Sequence, residues 1–240
     1  ALARQLDLWA HDSAIDRVVV RANGDRAFCA GGDIRALYEQ YQAGEVQRSI
    51  DFWRVEYTLN HRIKHYPKPY ISLIDGIVMG GGVGLSLHGT YRVAGDGYSF
   101  AYPEVGIGFF PDVGATHALP RLPGKIGTWI ALSGLRVNAD DGVYCGLATH
   151  RVASAQMPEL SRALETDENV GEVLKTFSSK PQPGKLAADH PMIDRIFELG
   201  SVEEILAALE GEMREDTSKL ARTIRGKSPT SLKIAFEQVQ

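Results

Sequence analysis

Apolar and polar positions along roughly the first 150 residues alternate between two patterns, one typical of strands and one typical of helices. Strand-like apolar runs occupy residues 17–22, 70–79 and 91–94, and segments with apolar residues three or four apart separate them. Strands that alternate with helices in this way favour a parallel sheet with crossover connections. We therefore predict an α/β fold for this part of the chain.

The pattern changes after Ser154, where only helical spacings remain. One of these helices opens with a capping-box pattern, Ser201 followed by Glu204. The change predicts two domains, a core with the candidate active site at residues 1–153 and a peripheral helical region at residues 154–240. Because the chain begins and stops inside helical patterns, we expect a polypeptide truncated at both ends.

A predicted helix over residues 49–66 places a carboxylate on its apolar face. Four apolar side chains define that face: Phe52, Trp53, Leu59 and Ile63. Glu56 shares the face, and burying an unpaired carboxylate costs several kcal/mol or raises its pKa. Two interpretations stay open, because Glu56 either lines a cavity or reaches an Arg or Lys at the edge of the helix.

Two glycine-rich turns follow strand-like segments, one at Gly31 and Gly32 and one at residues 80–82. Glycine has no Cβ, so other groups can approach its backbone closely. The free N–H groups at the start of a helix can bind an anion or an oxyanion. We expect a helix at residues 85–88 after the second turn. Either turn alone is also explained as a tight strand-to-helix connection, but two facing turns would present two N–H donors to one oxygen.

The apolar, glycine-rich loop at residues 102–114 contains two acids, Glu104 and Asp112, each directly after a proline. A loop with so little solvating charge is expected to pack over another part of the protein. Glu104 is either a functional carboxylate or one half of a buried salt bridge. Asp112 is either a pocket residue or the N-cap of a helix that starts at Val113.

Composition excludes several classes of function. The 240-residue chain is 44% hydrophobic with a formal net charge of −4, so it lacks the basic footprint of a nucleic-acid-binding protein. It contains no run of 18 apolar residues, which predicts no membrane association through a spanning helix. Cys29 and Cys145 are expected to be reduced thiols of an intracellular protein.

Other reactive motifs are missing from the sequence. Leu85 stands where a dinucleotide-binding glycine motif needs its third glycine, and the segment around Ser86 lacks the final glycine of a nucleophile elbow. Five histidines are scattered without metal-ligand spacing: His61, His65, His88, His117 and His150. We therefore predict no metal site and interpret each of these histidines as a surface residue or an internally hydrogen-bonded one.

Several motifs, in order, resemble the crotonase (enoyl-CoA hydratase/isomerase) superfamily. They are FCAGGDIR at residues 28–35, MGGGVGL at 79–85, FPDVG at 110–114, GLATH at 146–150 and SPTSLKI at 228–234. Within the superfamily the match is to the 3-hydroxyisobutyryl-CoA hydrolase branch. The resemblance implies a crotonase-like ββα superhelix followed by a C-terminal helical region. It also implies an acyl-CoA substrate, no cofactor beyond the coenzyme A of that substrate, a possible homo-oligomer, and a cytoplasmic or, in a eukaryote, mitochondrial matrix location.

The same resemblance implies roles for five residues. The N–H groups of Gly32 and Gly81 would form an oxyanion hole for the thioester carbonyl. Glu104 would be the catalytic carboxylate, which either attacks the carbonyl or activates water, and Asp112 would assist it. Glu56 would line the acyl pocket with Gly81, Glu104 and Asp112. Three carboxyls in one dry pocket are expected to raise each other's pKa values.

These roles predict a thioester hydrolase that acts on 3-hydroxyisobutyryl-CoA, or a close 3-hydroxyacyl-CoA, in valine degradation. Hydratases of the superfamily carry a second glutamate three residues after the middle glycine of the triplet, and Gly84 occupies that position here. The alternatives are an enoyl-CoA hydratase or isomerase that works with Glu104 alone, and a non-catalytic acyl-CoA-binding protein.

Overall fold

The computed structural model describes residues 1–166 and 169–240, and its strands form two parallel sheets. The first sheet has the strand order β1-β3-β5-β7, with β1 at Val18–Arg21, β3 at Tyr70–Ile74, β5 at Tyr91–Ala94 and β7 at His150–Arg151. The second has the order β2-β4-β6, with β2 at Ala27–Cys29, β4 at Ile77–Met79 and β6 at Ser99–Ala101. Successive strands of the chain thus alternate between the sheets, as in a ββα superhelix.

Helices connect and cover the two sheets. Before β7 they are α1 Leu2–His11, α2 Ile34–Gln42, α3 Val46–Lys64, α4 Gly81–Ser86, α5 Ala115–Ala118, α6 Ile126–Ser133 and α7 Ala139–Tyr144. After β7 they are α8 Met157–Ala163, α9 Val170–Phe177, α10 Lys185–Phe197, α11 Val202–Gly211, α12 Glu215–Arg225 and α13 Pro229–Gln238. The α/β class predicted from the alternating patterns is confirmed.

The main apolar core joins the sheets to the helices that follow them. Phe100 of β6 and Ile74 of β3 belong to the same buried cluster as Phe197 of α10 and Phe236 of α13. The predicted capping box is also present in part, since the Ser201 hydroxyl accepts a hydrogen bond from the Glu204 N–H. The C-terminal helices thus share a core with the strands, and the domain division at residue 153 stays a prediction.

The segment at residues 70–79 is two strands rather than the single strand that the sequence predicts. Gly76 breaks the run with φ +143°, a conformation that side-chain-bearing residues rarely adopt. A Cβ at this position would also lie 3.0 Å from the backbone of Ala27. The chain therefore passes from the first sheet to the second at Gly76.

A helix follows the glycine turn as predicted, but it spans Gly81–Ser86, so it starts and ends earlier than the predicted residues 85–88. Glycine has a low helix propensity, but tertiary packing determines this helix. A Cβ on Gly82 would collide with the carbonyl oxygen of Cys29, and a Cβ on Gly84 would collide with the carboxamide of Asn60. Glycines therefore let α4 lie directly against β2 and α3.

Candidate active site

The two glycine-rich turns meet at one edge of the second sheet. Neighbouring parallel strands β2 and β4 end at the same edge, so the turns that follow them lie side by side. A Cβ built on Gly31 would lie 3.5 Å from the Gly81 nitrogen, and one built on Gly81 would lie 3.5 Å from the Gly32 nitrogen. As the first residue of α4, Gly81 also has no helical partner for its N–H.

A cavity of about 370 Å³ opens in front of these turns. All five predicted site residues line it: Gly32, Glu56, Gly81, Glu104 and Asp112. Aromatic rings form much of the remaining wall, where Trp53 stacks on Phe109 with ring centroids 6.0 Å apart. Three carboxyl groups therefore share one largely apolar pocket.

A second cavity of about 620 Å³ lies on the other side of Asp112. Its wall contains Lys64 and several histidines, but it includes neither of the glycine-rich turns nor Glu104. The smaller cavity is therefore the candidate active site, although the larger one has more space.

Glu104 is held deep in the smaller cavity. It follows Pro103 at the start of a short 3-10 turn, Glu104–Gly106, and its residue surface is only 6% exposed. The N–H groups of Ile107 and Phe109 donate to its backbone carbonyl, which fixes the loop. Its Oε2 atom is buried without a hydrogen-bond partner among the described residues. Burial, with a smaller effect of the nearby Asp112, raises the pKa of this carboxyl to about 8.

Glu56 reaches the same cavity from α3, which begins at Val46, three residues before the predicted start. Its carboxylate lies so close to Gly81 that a Cβ there would collide with it. No Arg or Lys in residues 1–166 or 169–240 forms an ion pair with it, so the edge-pairing alternative is wrong. Burial first, and Asp112 second, raise the pKa of Glu56 to about 7.

Asp112 lies between the two cavities and makes a hydrogen bond across the fold. The Tyr57 hydroxyl of α3 donates to its Oδ2 atom at 2.8 Å. Burial raises the pKa of Asp112, and the Tyr57 hydrogen bond opposes that rise. The N-cap alternative is wrong, because Gly114 precedes α5 and the Ala115 N–H donates to the backbone carbonyl of Asp112.

The sequence did not indicate that two residues, Tyr57 and His88, contact the loop that carries Glu104 and Asp112. Tyr57 is 55 positions from Asp112, and only its place next to Glu56 on α3 hinted at the pocket. His88 was interpreted as a surface or internally hydrogen-bonded residue, and the second interpretation applies, since its Nε2–H donates to the Val113 carbonyl at 2.7 Å. No local pattern indicates which carbonyl it reaches.

The arrangement suits chemistry at a carbonyl group. Neighbouring backbone nitrogens can hold a developing oxyanion, and a buried carboxyl can act as a nucleophile or a general base. Within the described residues, His, Cys, Asp and Glu side chains form no group of three or more that could hold a metal ion. The helices of that part of the chain are also too short or too polar to cross a membrane.

Comparison with known proteins supports this picture. Proteins from Xenopus tropicalis and Danio rerio, both named "3-hydroxyisobutyryl-CoA hydrolase, mitochondrial", are each 44% identical to this chain over 98% of its length. The chain spans 64% of the length of each of these relatives.

Comparison with a solved structure tests the predicted fold. The crystal structure of a carnitinyl-CoA dehydratase from Mycobacterium thermoresistibile is 40% identical and superimposes with a TM-score of 0.94. The match covers 99% of this chain and 69% of that one, which confirms the predicted crotonase-like fold. The whole of residues 1–240 also matches the family described as enoyl-CoA hydratase/isomerase. The chain belongs to that family.

Proposed function

We propose that this protein hydrolyses an acyl-CoA thioester with a short 3-hydroxyacyl group, 3-hydroxyisobutyryl-CoA or a close analogue. The observation that carries this proposal is the unpartnered, buried carboxyl of Glu104 beside the two glycine-rich turns. Hydrolysis needs an oxyanion site, a carboxylate and water, and the turns proposed to form the first share a cavity with the Glu104 carboxyl. Coenzyme A enters as part of the substrate, and no separate cofactor is required.

Two routes are compatible with this geometry, and in both the Gly32 and Gly81 N–H groups hold the carbonyl oxygen as it becomes negative. In the first, the Glu104 carboxylate attacks the carbonyl carbon, the C–S bond breaks, and the thiolate of coenzyme A takes a proton. Water then cleaves the mixed anhydride and regenerates the Glu104 carboxylate. In the second, Glu104 accepts a proton from water as that water attacks, and passes it to the departing thiolate.

Glu56 and Asp112 are the proposed partners of the acyl hydroxyl. Both line the pocket, where the pKa of Glu56, about 7, lets it keep or share a proton at neutral pH and burial raises the pKa of Asp112 above its ordinary value. A protonated carboxyl donates a hydrogen bond and an ionised one accepts it, so the pair suits a hydroxyl group. Relatives named mitochondrial support a matrix location, beside the cytoplasmic one proposed for other organisms.

Position 84 favours hydrolysis over hydration. The solved neighbours are named as a dehydratase and a hydratase, whereas the curated relatives are named as hydrolases. In this chain the carboxamide of Asn60 packs against Gly84 so closely that even a Cβ would collide with it. A second glutamate cannot occupy that place without displacing Asn60, so Glu104 lacks the partner that hydration uses.

The test compares two activities of the purified protein. We expect release of free thiol from 3-hydroxyisobutyryl-CoA and little hydration of crotonyl-CoA, with thiol release much slower in Glu104→Gln. Faster hydration than thiol release would favour the hydratase alternative. Tight binding of the thioester with neither reaction would favour the non-catalytic one.

A further inference from the structure

The turn that carries Asp112 has an unusual backbone. Val113 has φ +43° and Gly114 has φ +88°, so two consecutive residues adopt left-handed conformations. Glycine tolerates this geometry, but a β-branched residue such as valine is strained there. Val113 is also buried, with 2% of its surface exposed, so solvent does not relax it. Such a turn persists only when its surroundings hold it in place.

His88 supplies that restraint. A carbonyl oxygen only accepts hydrogen bonds, so the 2.7 Å contact requires Nε2 of His88 to carry the proton that it donates to Val113. The ring also packs on the bare Cα of Gly114, where a Cβ would collide with Nε2. One side chain therefore touches both left-handed residues of the turn.

The position of His88 in the chain connects the two halves of the site. It is the second residue after α4, the helix that begins at Gly81 and ends at Ser86. From α3, the Tyr57 hydroxyl donates a hydrogen bond to the carboxyl of Asp112. Asp112 is thus restrained at its side chain by α3 and at the next carbonyl by the segment after α4.

We propose that His88 is a positioning residue, which locks the strained turn at residues 112–114 and so fixes where the Asp112 carboxyl lies relative to Gly81. The proposal rests on the thioester hydrolysis proposed above for its kinetic consequences, but not for its structural ones. His88 itself lines the larger cavity and has no place in the smaller one, so it acts through Asp112.

The kinetic test uses matched histidine variants. In His88→Leu we expect kcat/KM for thioester hydrolysis to fall by ~10–10²-fold, because the displaced Asp112 carboxyl no longer holds the acyl hydroxyl in the reactive position. His88→Gln keeps an N–H near the Nε2 position and should recover most of the rate, whereas the shorter His88→Asn should not. His117→Leu is the control, since His117 lines the same cavity but is exposed, and its rate should stay within about twofold of wild type. Equal rates for the Gln and Asn variants would overturn the proposal.

A double-mutant cycle separates positioning from general stability. If His88 acts through Asp112, His88→Leu should add no further loss to Asp112→Asn. Multiplicative losses would show an independent role and would contradict the proposal.

A titration tests whether His88 positions Asp112 even if the protein hydrolyses no thioester. The ¹³C NMR midpoint of the Asp112 carboxyl should move in His88→Leu and His88→Asn, because its contact with Tyr57 changes, but not in His117→Leu. An unchanged midpoint overturns the positioning role. Failure of wild-type protein to release thiol, with the midpoint shift present, would instead overturn the proposed function alone.

Discussion

The floor and the mouth of the candidate active-site cavity are built from different kinds of structure. The floor is the turn at Gly80, Gly81 and Gly82 together with Glu104, and its atoms lie in close contact with β2 and α3. The mouth is formed by α2, which has no buried residue. Three of its large apolar side chains are more than half exposed: Ile34, Tyr38 and Tyr41.

If the proposed function is correct, this difference separates the chemistry from the recognition of the rest of the ligand. At the floor, main-chain atoms and one carboxyl are fixed by packing on several sides, which is the preorganisation that electrostatic catalysis requires. At the mouth, apolar side chains on a thinly packed helix can adapt to a ligand at little structural cost. Changes at the floor should therefore affect the rate and the stability, and changes at the mouth should mainly affect affinity.

The largest effect is expected for Glu104→Gln. Removing the ionisable group should lower kcat by ~10²–10⁴-fold, the usual contribution of a positioned acid or base, with little change in KM. Thiol release under saturating substrate measures this loss, with the exposed Glu159→Gln of α8 as the control. A residual rate within tenfold of wild type would mean that Glu104 is not the reacting carboxyl.

Although Glu104→Gln should lower activity, it should make the protein more stable than wild type at high pH. The folded-state pKa of Glu104, about 8, lies above its unfolded value of 4.5, so the folded protein binds the proton more tightly. The contribution of this protonated carboxyl to the free energy of unfolding is fully present below about pH 4.5 and is lost as the pH rises to about 8. One pKa unit corresponds to about 1.4 kcal/mol, so the loss is on the order of a few kcal/mol.

Urea unfolding of wild type and Glu104→Gln at pH 5.5 and pH 8.5 measures this linkage. At the higher pH the free energy of unfolding of the variant should rise relative to that of wild type, because the variant has no charge to bury. A difference between the two proteins that does not change with pH would contradict the buried position of Glu104. In the same pH range, the reactive carboxylate form should make kcat/KM of wild type rise.

A smaller effect is expected for Gly82→Ala at the floor. The added methyl group would collide with the Cys29 carbonyl, which is backbone and cannot move aside. We expect a loss of ~1–3 kcal/mol in the free energy of unfolding, as for other overpacked sites. Gly211→Ala in α11 is the matched control, since nothing lies within 4 Å of a Cβ there. Equal stability of the two variants in urea unfolding would show that β2 and α4 are not in close contact.

The smallest effect is expected at the mouth. Tyr38 lines the cavity but is 62% exposed, so Tyr38→Ser should change the free energy of unfolding by less than about 0.5 kcal/mol. Loss of apolar contact with the substrate should raise KM by less than about tenfold, which corresponds to ~1.4 kcal/mol, and leave kcat unchanged. A fall in kcat comparable to that of Glu104→Gln would remove the distinction between floor and mouth.

The sequence predicts the class of fold and the participants of the site, because both depend on local patterns. Alternating strand and helix segments indicate the α/β class, and the acids in an apolar loop and on an apolar helix face point to a pocket. All five predicted residues indeed line one cavity, although their catalytic roles stay proposals.

What the sequence leaves out depends on contacts between distant segments. The strand break at Gly76 and the early start of α4 follow from how closely β2 approaches each of them. The hydrogen bonds of Tyr57 and His88 join residues 55 and 25 positions apart. The strain at Val113 is likewise invisible in the order of residues, since valine itself gives no sign of a left-handed backbone.

The glycines of α4 limit how this site can change during evolution. Gly81, Gly82 and Gly84 each face a different neighbour, and any larger residue at these positions would meet Glu56, the Cys29 carbonyl or Asn60. Because this part of the site is formed by main-chain atoms, substitutions cannot alter it without disturbing the packing of α4. New ligand preferences in descendants of this protein should therefore arise where the rings of Trp53 and Phe109 line the cavity, and directed mutagenesis would best begin there.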